Sequence, residues 1–391
     1  MATYEKGFEL LRACRAEGAR VLLLTTEKLR DAAWPRDVID EVYVMPDLYD
    51  ATAVVNAVSY LARTEPIDRI SPLDEFDMEM AATLREHLRM YGMGETAVRF
   101  FRDKLAMRKR ARATGMRVPE FTALHHHPAV ESFFDRVSGP WILKPRTQAS
   151  AIGLKKFEER EALWPLLEAL GDKQSHHLLE QFVPGDVFHV DSIVANGVVV
   201  FAEVHRYGET PFRVMHGGGI FSTATVDRAS PESRALRAMN EDVARGLGMT
   251  SGVMHTEFIR AHEDREFYFL ETAARVGGAY IAETVEAATG VNLWREWARV
   301  EIAAAKGEQY ELPVARQGYA GVLLSLARQA APDTSAYDDM EIVMRVKKDH
   351  HAGLIVAADD PTRVTALLQS YMERFHTDFY ASMPAPDKAT N

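Results

Sequence analysis

The segment GVMHTEFIRAHEDREFYFLETAARVGG (252–278) restricts the fold more than any other part of the chain. Two apolar runs flank a polar turn, which predicts an antiparallel β-hairpin. Glu257 and Glu271 are equidistant from the centre of that turn, so they should lie opposite each other on one face. Facing carboxylates on a half-buried sheet are destabilising, whereas Mg²⁺ takes carboxylate oxygens as ligands. The hairpin therefore predicts a metal site, unless a bulge or a one-residue slip separates the two acids.

The beginning of the chain follows a different pattern. Strand-like and helical segments alternate there, in the order 20–25, 40–46, 51–63, 68–76 and 77–90. Such alternation is typical of a parallel α/β sheet, and no GxGxxG motif follows the first strand, so a dinucleotide site is not expected. Hairpin signals dominate later in the chain, for example at Asn196–Gly197. The change in pattern indicates a domain boundary near residue 100.

Composition and charge exclude several classes of protein. The net charge of −11 disfavours nucleic acid and anionic membranes as partners. Cys14 is the only cysteine, so neither a disulfide framework nor a cysteine-rich metal site is expected. No apolar run approaches the roughly 20 residues that span a bilayer, and no secretory signal is evident, so we expect a cytoplasmic protein. We interpret His125–His127, His350–His351 and most charges of the basic helix at 102–115 as solvated.

Two lysines and one glutamate occupy notable positions, at the end of an apolar strand, at the start of the basic helix and within a second apolar strand. Lys144 ends the strand PWILK and precedes a loop of small residues at 146–156, whose backbone N–H groups can cover phosphates. Lys104 begins the basic helix, and a lysine suits a phosphate as a point charge. Glu180 lies in a strand whose edge offers a backbone donor and acceptor, as an adenine ring requires. Each of these residues, taken alone, is also consistent with a solvated surface group.

Taken in order, these segments resemble the ATP-grasp superfamily, and within it the carboxylate–amine ligases that act on amino acids. The matching segments are 102–121, 140–157, 178–194, GVMHTEF (252–258) and FLETAARVGG (269–278). The resemblance covers roughly residues 100–300. It implies an α/β N-terminal preATP-grasp (Rossmann-like) domain followed by an α+β ATP-grasp fold.

The resemblance also implies a division of the chain into four parts. These are a preATP-grasp α/β domain at 1–100, a small lid subdomain at 101–180, a central subdomain with the metal site at 181–310, and a C-terminal part at 311–391 that packs on the central subdomain.

The matched positions acquire roles from the same resemblance. ATP would be bound by Lys104, Lys144, Ser150, Gly153, Glu180, Gln181, Phe182, Val183 and Asp186. Glu257 and Glu271 would hold one or two Mg²⁺ ions, with Mn²⁺ as an alternative, and Arg275, Glu271 and Lys144 would act in catalysis. The substrates would be faced by Arg206, Arg213, His216, Arg275, Gly277 and Gly278, with His205 and the glycines 217–219 as further candidates.

Two positions depart from the superfamily's pattern. Ala273 stands where an asparagine often supplies a metal ligand, which leaves the number of ions open. Val187 stands where a glutamate often binds the ribose, and Asp186 or Asp191 are the available substitutes. The departures do not by themselves indicate an inactive protein.

The implied reaction is phosphoryl transfer from ATP to a carboxylate, followed by attack of an amine on the acyl phosphate. The expected substrates are a small carboxylic acid and an amine, with amino acids as candidates, and a homodimer is compatible with the resemblance. Two alternatives remain open. One is a biotin-carboxylase-like or purine-synthesis enzyme of the same superfamily, and the other is a nucleotide-binding regulatory protein without catalysis.

Overall fold

The computed structural model describes residues 1–149 and 152–382, so Ser150 lies outside the described residues. The strands of the described part form three sheets, with two, four and eight strands. The two-stranded sheet comes first in the chain and is parallel, with strands β1 (Leu22–Thr26) and β2 (Glu41–Met45). The helices of this part of the chain are α1 (Phe8–Ala16), α2 (Ala51–Leu61), α3 (Met78–Leu88) and α4 (Glu95–Arg102). The predicted parallel α/β beginning is therefore confirmed for two of its three strands.

The third predicted strand, at 68–76, is wrong. Its backbone groups bond to the first residue of the chain instead of a neighbouring strand: the Met1 amine donates to the Ser71 carbonyl, and the Leu73 N–H donates to the Met1 carbonyl. The Asp74 side chain then accepts a hydrogen bond from the Phe76 N–H and starts a short 3₁₀ turn that leads into α3. Glu75, a buried acid, lies in this turn.

The four-stranded sheet is antiparallel, with the strand order β3-β6-β4-β5. Its strands are β3 (Phe121–Ala123), β4 (Trp141–Pro145), β5 (Lys155–Phe157) and β6 (His177–Gln181), and its helices are α5 (Lys104–Ala113), α6 (His127–Arg136) and α7 (Leu163–Leu170). Leu143 and Leu179 lie opposite each other and pack with α6 and α7 in a buried core. Because side chains alternate along a strand, Lys144 and Glu180 point to the other face.

The eight-stranded sheet has the order β11-β10-β7-β8-β9-β12-β14-β13. Its strands are β7 (Gly185–Ala195), β8 (Val198–Tyr207), β9 (Phe221–Thr225), β10 (Gly252–Ala261), β11 (Phe267–Ala273), β12 (Tyr319–Leu326), β13 (Ile342–Arg345) and β14 (His351–Ala358). The helices of this region are α8 (Pro211–Gly217), α9 (Pro231–Leu247), α10 (Ile281–Thr289), α11 (Leu293–Lys306) and α12 (Pro361–Asp378). The predicted hairpin at Asn196–Gly197 joins β7 to β8, and both turn residues have positive φ, as a type I′ turn requires.

The two faces of this sheet pack against different helices. On β7, Phe188 and Val190 share a core with α9, whereas Ile193 shares a core with α10 and α11. His189 and Asp191 alternate with the residues of the first core, so they point to the same face of β7 as Ile193, and both are also fully buried. A buried polar stripe therefore crosses the face that α10 and α11 cover.

The predicted four-part division of the chain stays a prediction. The C-terminal strands β12 to β14 continue the eight-stranded sheet through the pairing of β12 with β9. His125–His127 and His350 are exposed, as predicted, and His351 is half-buried. In the ranges that the structure describes, no helix combines the length and apolar character needed to cross a membrane.

Candidate active site

A cavity of about 360 Å³ lies between the four-stranded sheet and strands β10 and β11. The predicted site residues that line it are Lys104, Lys144, Glu180, Gln181, Phe182, Val183, Glu257, Glu271, Arg275 and Gly278. They come from α5, β4, β6, the two strands of the acidic hairpin and the turn that follows it. The fold thus brings most of the predicted nucleotide and metal residues to one place.

The two acidic side chains of the hairpin face each other across β10 and β11. Glu257 is paired with Glu271, as the sequence predicts, and the ladder bulges only after this pair, between Glu257 and Phe258. Oε1 of Glu257 accepts a 2.9 Å hydrogen bond from the Tyr207 hydroxyl. Burial would raise the pKa of Glu257, but the neighbouring His255 and the Tyr207 hydroxyl hold it below its ordinary value. The pair therefore offers carboxylate oxygens, the donors that Mg²⁺ prefers.

Lys104 lies next to this acidic pair. It is the first residue of α5, whose N-terminus is capped by the Asp103 carboxylate. The Lys104 ammonium lies 3.1 Å from Oε2 of Glu271 and donates a 2.7 Å hydrogen bond to the Gln148 carbonyl. Lys104 thus links the loop after β4, at Gln148, to one of the two acids.

Glu180 is buried between two cations. Its Oε1 accepts a hydrogen bond from Lys144 Nζ, and its Oε2 accepts one of 2.7 Å from Arg108 Nε. Burial would raise the pKa of Glu180, but Arg108 and Lys144 lower it. Each carboxylate oxygen keeps a second lone pair, so the side chain can still accept from a ligand amine.

Arg108 is an exception to the interpretation of most charges of the basic helix as solvated, because its side chain is only 1% exposed. The exposed basic residues of the same helix are Lys109, Arg110 and Arg112. Arg108 lies on the buried face of α5 with Leu105 and Ala111, three residues away on either side. This helical spacing was the available signal, but the acid that compensates the charge, Glu180, is 72 residues away in sequence. The two therefore could not be paired by inspection of the helix alone.

Arg275 is held by an acid that the sequence did not indicate. Glu75, in the 3₁₀ turn before α3, accepts a 2.7 Å hydrogen bond from Arg275 Nε on one oxygen and a 2.9 Å hydrogen bond from Arg102 on the other. Burial would raise the pKa of Glu75, but Arg275 and Arg102 lower it to about 2. Arg102 also donates to the Thr147 carbonyl at 2.9 Å. The N-terminal region thus orients the arginine predicted to act in catalysis.

A cluster of buried histidines lies beside Glu257 and was also missed. Asp191 accepts from His189 and His255, whose Nδ1 atoms lie 2.6 and 2.9 Å from its two oxygens. Burial would lower the pKa of His255, but Asp191 raises it to about 9. Burial lowers the pKa of His205 to about 3. The sequence offered one signal for this cluster: side chains alternate along the strand VFHVDS (187–192), which puts His189 and Asp191 on the same face.

Arg206 and Arg213 lie beside a second cavity, of about 1130 Å³, between β9 and α12. Arg206 is 3.0 Å from Asp186, and Arg213 is 3.2 Å from Glu209. Within the described part of the chain, neither arginine nor Asp186 lines the first cavity. The structure therefore does not bring these three predicted residues together with the acidic pair.

The remaining predicted substrate residues have different surroundings. His205 is fully buried and stacked on His189 with ring centroids 4.9 Å apart, and within the described residues it lines neither cavity, so its role toward a substrate stays a prediction. His216 lies in α8, where its ring is 4.7 Å from that of Phe212, a residue of the first cavity. Gly218 and Gly219 line the second cavity.

The predicted glycines serve different purposes. A Cβ at Gly277 would lie 2.9 Å from the Asp191 carboxylate and 3.0 Å from His255, so a side chain is excluded by lack of space. Gly278 has open space around it and lines the cavity. Gly153 adopts φ 73°, a left-handed conformation that favours glycine. Its neighbours Ile152 and Leu154 line the cavity.

No protein-family model matches the chain. The L-arginine-specific L-amino acid ligase of Bacillus subtilis is 22% identical over 269 residues, which are 67% of this chain and 64% of that protein, so the chain spans less than two thirds of this relative. The crystal structure of L-amino acid ligase from Bacillus licheniformis has a TM-score of 0.74, with 18% identity, and the match covers 95% of this chain and 96% of that one. The structure of N5-carboxyaminoimidazole ribonucleotide synthetase from Thermus thermophilus has a TM-score of 0.72, with 17% identity and 97% of both chains covered.

These structural neighbours are ATP-grasp enzymes, and they match nearly the whole chain, including its parallel α/β beginning. The large antiparallel sheet with mixed α/β content agrees with the expected fold class. The chain therefore has the fold of the ATP-grasp superfamily, which confirms the resemblance predicted from its sequence.

Proposed function

We propose that this chain is an ATP-dependent carbon–nitrogen ligase, which activates a carboxylate as an acyl phosphate and joins it to an amine with release of ADP and phosphate. The observation that carries the proposal is the pairing of Glu257 with Glu271 in a cavity that Lys104, Lys144 and Arg275 also line. Facing acids with basic groups around them suit a cation and phosphates together.

The metal would be held by Glu257 and Glu271. Their oxygens are hard donors that fit Mg²⁺, and Mn²⁺ accepts the same donors. When bound, Mg²⁺ would neutralise charge on the ATP phosphates. Ala273, opposite His255 on the neighbouring strand, offers no side-chain oxygen. A second ion would therefore depend on the same two carboxylates, phosphate oxygens and water.

The nucleotide would lie between the two sheets. Glu180 and the backbone of residues 181–183 would meet the adenine edge, beside apolar cavity residues such as Ile142 and Leu270. Lys144 and Lys104 would contact phosphates, and Gly153 belongs to the loop that would cover them. Val187 lines the cavity, whereas Asp186 faces Arg206, so the ribose contacts remain a prediction.

Arg275 would stabilise negative charge on the acyl group. Its guanidinium is anchored by Glu75 and by a 3.0 Å hydrogen bond to the Val276 carbonyl, so its orientation is set before a substrate binds. A preorganised donor of this kind stabilises an oxyanion without reorganisation during the reaction. Gly278, in the same turn, leaves room for a substrate to approach the backbone.

Amino acids are the proposed substrates, because the relative from Bacillus subtilis is named an L-amino acid ligase specific for L-arginine. Activation of bicarbonate or of a purine precursor is the second candidate, favoured by the likeness to N5-carboxyaminoimidazole ribonucleotide synthetase. Arg206, Arg213 and His216 stay predicted substrate residues. A cytoplasmic location and a homodimer stay predictions as well.

The reaction can be tested by ADP release. We expect purified protein with ATP and Mg²⁺ to release ADP only when an acid and an amine are both present, in a panel of amino acid pairs that includes bicarbonate as an acid. Stimulation by bicarbonate with a single amine would favour the second candidate. ATP binding without ADP release for any combination would contradict the ligase and favour a regulatory protein.

The assignment of Glu271 as a metal ligand predicts that removal of its negative charge lowers activity. Glu271→Gln should lower Mg²⁺-dependent ADP release by about 100-fold or more, because a neutral amide is a weak metal ligand. Glu263→Gln, in the exposed turn of the same hairpin, is the matched control and should retain full activity. Near-wild-type turnover by Glu271→Gln would show that this residue does not hold the metal.

The nucleotide assignment predicts the effect of one lysine. Lys144→Ala should weaken ATP binding by about tenfold, since it removes a cation that reaches the phosphates and Glu180. Lys173→Ala, exposed in the segment before β6, controls for loss of a lysine in the same part of the chain. Calorimetric titration with ATP measures the affinity of both variants and of wild type. Wild-type affinity in Lys144→Ala would show that Lys144 does not bind ATP.

The ion pairs of Glu75 predict a pH-dependent stability. Glu75→Gln should lower the free energy of unfolding by about 3 kcal/mol at neutral pH, because Arg102 and Arg275 lose their buried carboxylate. Folding lowers the pKa of Glu75 from 4.5 to about 2, so its contribution is complete above pH 4.5 and is lost as the pH falls through about 2.

Urea unfolding at neutral pH and near pH 3 measures this contribution. The difference between wild type and Glu75→Gln should shrink at the lower pH. Glu79→Gln, exposed on α3, is the control and should stay within about 0.5 kcal/mol of wild type. A difference that does not change with pH would contradict the ion pairs assigned to Glu75.

A further inference from the structure

The buried polar stripe on β7, β8, β9 and β10 ends at one of the two acids of the hairpin. We define the Asp191 cluster as His189, Asp191, Tyr207, Thr223 and His255. On neighbouring strands, Asp191 is paired with His255, and His189 is paired with Glu257. All five side chains belong to residues that are at most 8% exposed. The proposed function gives these residues no task.

The hydrogen bonds of the cluster fix its donors and acceptors. Nε2 of His189 lies 2.8 Å from Thr223 Oγ1, and because a neutral imidazole whose Nδ1–H donates to Asp191 has no proton on Nε2, this nitrogen accepts from the Thr223 hydroxyl. The other nitrogen of His189 lies 2.6 Å from one Asp191 oxygen, a contact that requires a shared proton. Both nitrogens of His189 are therefore committed, and the ring cannot turn without loss of a buried hydrogen bond.

Asp191 also fixes the orientation of a second imidazole ring, that of His255. Its other oxygen accepts a 2.9 Å hydrogen bond from Nδ1 of His255. That contact orients Nε2 of His255 toward the cavity, 3.5 Å from the Tyr207 hydroxyl and 3.6 Å from Oε1 of Glu257. The Tyr207 hydroxyl donates to the same Oε1 at 2.9 Å. The Tyr207 hydroxyl thus donates to one oxygen of Glu257, and the His255 ring lies beside that oxygen.

The turn after β11 covers the cluster. A Cβ at Gly277 would approach the Asp191 oxygen and the His255 nitrogen to 2.9 and 3.0 Å, so the backbone packs directly on their hydrogen bond. Asp191 and His189 are fully buried beneath it. A buried and satisfied network of this kind gives a fixed geometry instead of a set of exchanging ones.

We propose that the Asp191 cluster is a positioning device for Glu257: the Tyr207 hydroxyl, whose ring packs 4.6 Å from the fixed ring of His189, holds Oε1, so that Oε2 is left for a divalent cation beside Glu271. The inference rests on the proposed function, because it assigns a second layer to the proposed metal site. Outer partners of this kind orient a metal ligand and contribute to affinity without touching the ion.

The affinity for Mn²⁺ in the presence of ADP, measured by electron paramagnetic resonance, tests the inference without turnover. Tyr207→Phe and Asp191→Asn should each weaken Mn²⁺ binding by about tenfold, the lower end of the loss typical for outer partners. ADP binding in the absence of metal should stay unchanged in both variants, which a general structural defect would not allow.

Ser192→Ala is the matched control. Ser192 follows Asp191 on β7, points to the opposite face and is also fully buried, where it accepts a 3.1 Å hydrogen bond from Asn240. Its substitution removes a buried hydroxyl, as Tyr207→Phe does, but leaves the Asp191 cluster intact. The Mn²⁺ affinity of this variant should equal that of wild type.

Glu257→Gln separates the inference from the function on which it rests. Wild-type Mn²⁺ affinity in this variant would show that the proposed metal site and the positioning role are both wrong. Loss of binding in Glu257→Gln together with wild-type affinity in Tyr207→Phe and Asp191→Asn would overturn the positioning role alone.

Elemental analysis of the purified protein tests whether the Asp191 cluster is itself a metal-binding site. Ligand atoms of His189, Asp191 and His255 lie within 4.8 Å of one another, a spacing that a metal ion could also use. One equivalent of a transition metal that Asp191→Asn loses would overturn the positioning role. Should circular dichroism show Asp191→Asn unfolded, Tyr207→Phe decides the question.

Discussion

The opposition of two carboxylates on β10 and β11 is the constraint around which the site is arranged. In the absence of a cation, Glu257 and Glu271 repel each other at a partly buried position, and the protein offsets this cost with separate partners for each. Glu271 has the Lys104 ammonium at 3.1 Å, whereas Glu257 has the hydroxyl of Tyr207 at 2.9 Å. The two acids therefore stay opposite each other on neighbouring strands, which is the arrangement that a divalent cation bound by both would require.

The partners of Glu271 and those of Glu257 differ in how firmly they hold the carboxylate. Lys104 is a flexible side chain that also bonds to the Gln148 carbonyl, and the Glu271 side chain is 35% exposed. The partners of Glu257 are ring systems locked in a buried network. One acid is thus adaptable, and the other is fixed. A site built in this way can adjust to phosphate oxygens on one side while it keeps a defined ligand position on the other.

The hairpin could be predicted because its geometry is local. The distance of Glu257 and Glu271 from one turn determines their register, and the bulge happens to lie just beyond them. The order of Lys144, Glu180 and the acidic pair along the chain sufficed for the fold class. The partners of these residues could not be predicted, since Arg108 and Glu180 are 72 residues apart, and Glu75 and Arg275 are 200 residues apart. Pairings over such distances depend on the packing of whole sheets, which periodicity does not report.

Glu75 shows a consequence for the modularity of this chain. It lies before the predicted boundary near residue 100, yet its single carboxylate compensates two arginines beyond that boundary, and one of them also holds the Thr147 carbonyl. The N-terminal unit therefore contributes an electrostatic component of the site, as well as a surface for packing. A chimera that exchanges this unit for one without an acid at the same place would bring together two buried like charges. The two parts of the chain therefore depend on each other electrostatically through this one carboxylate.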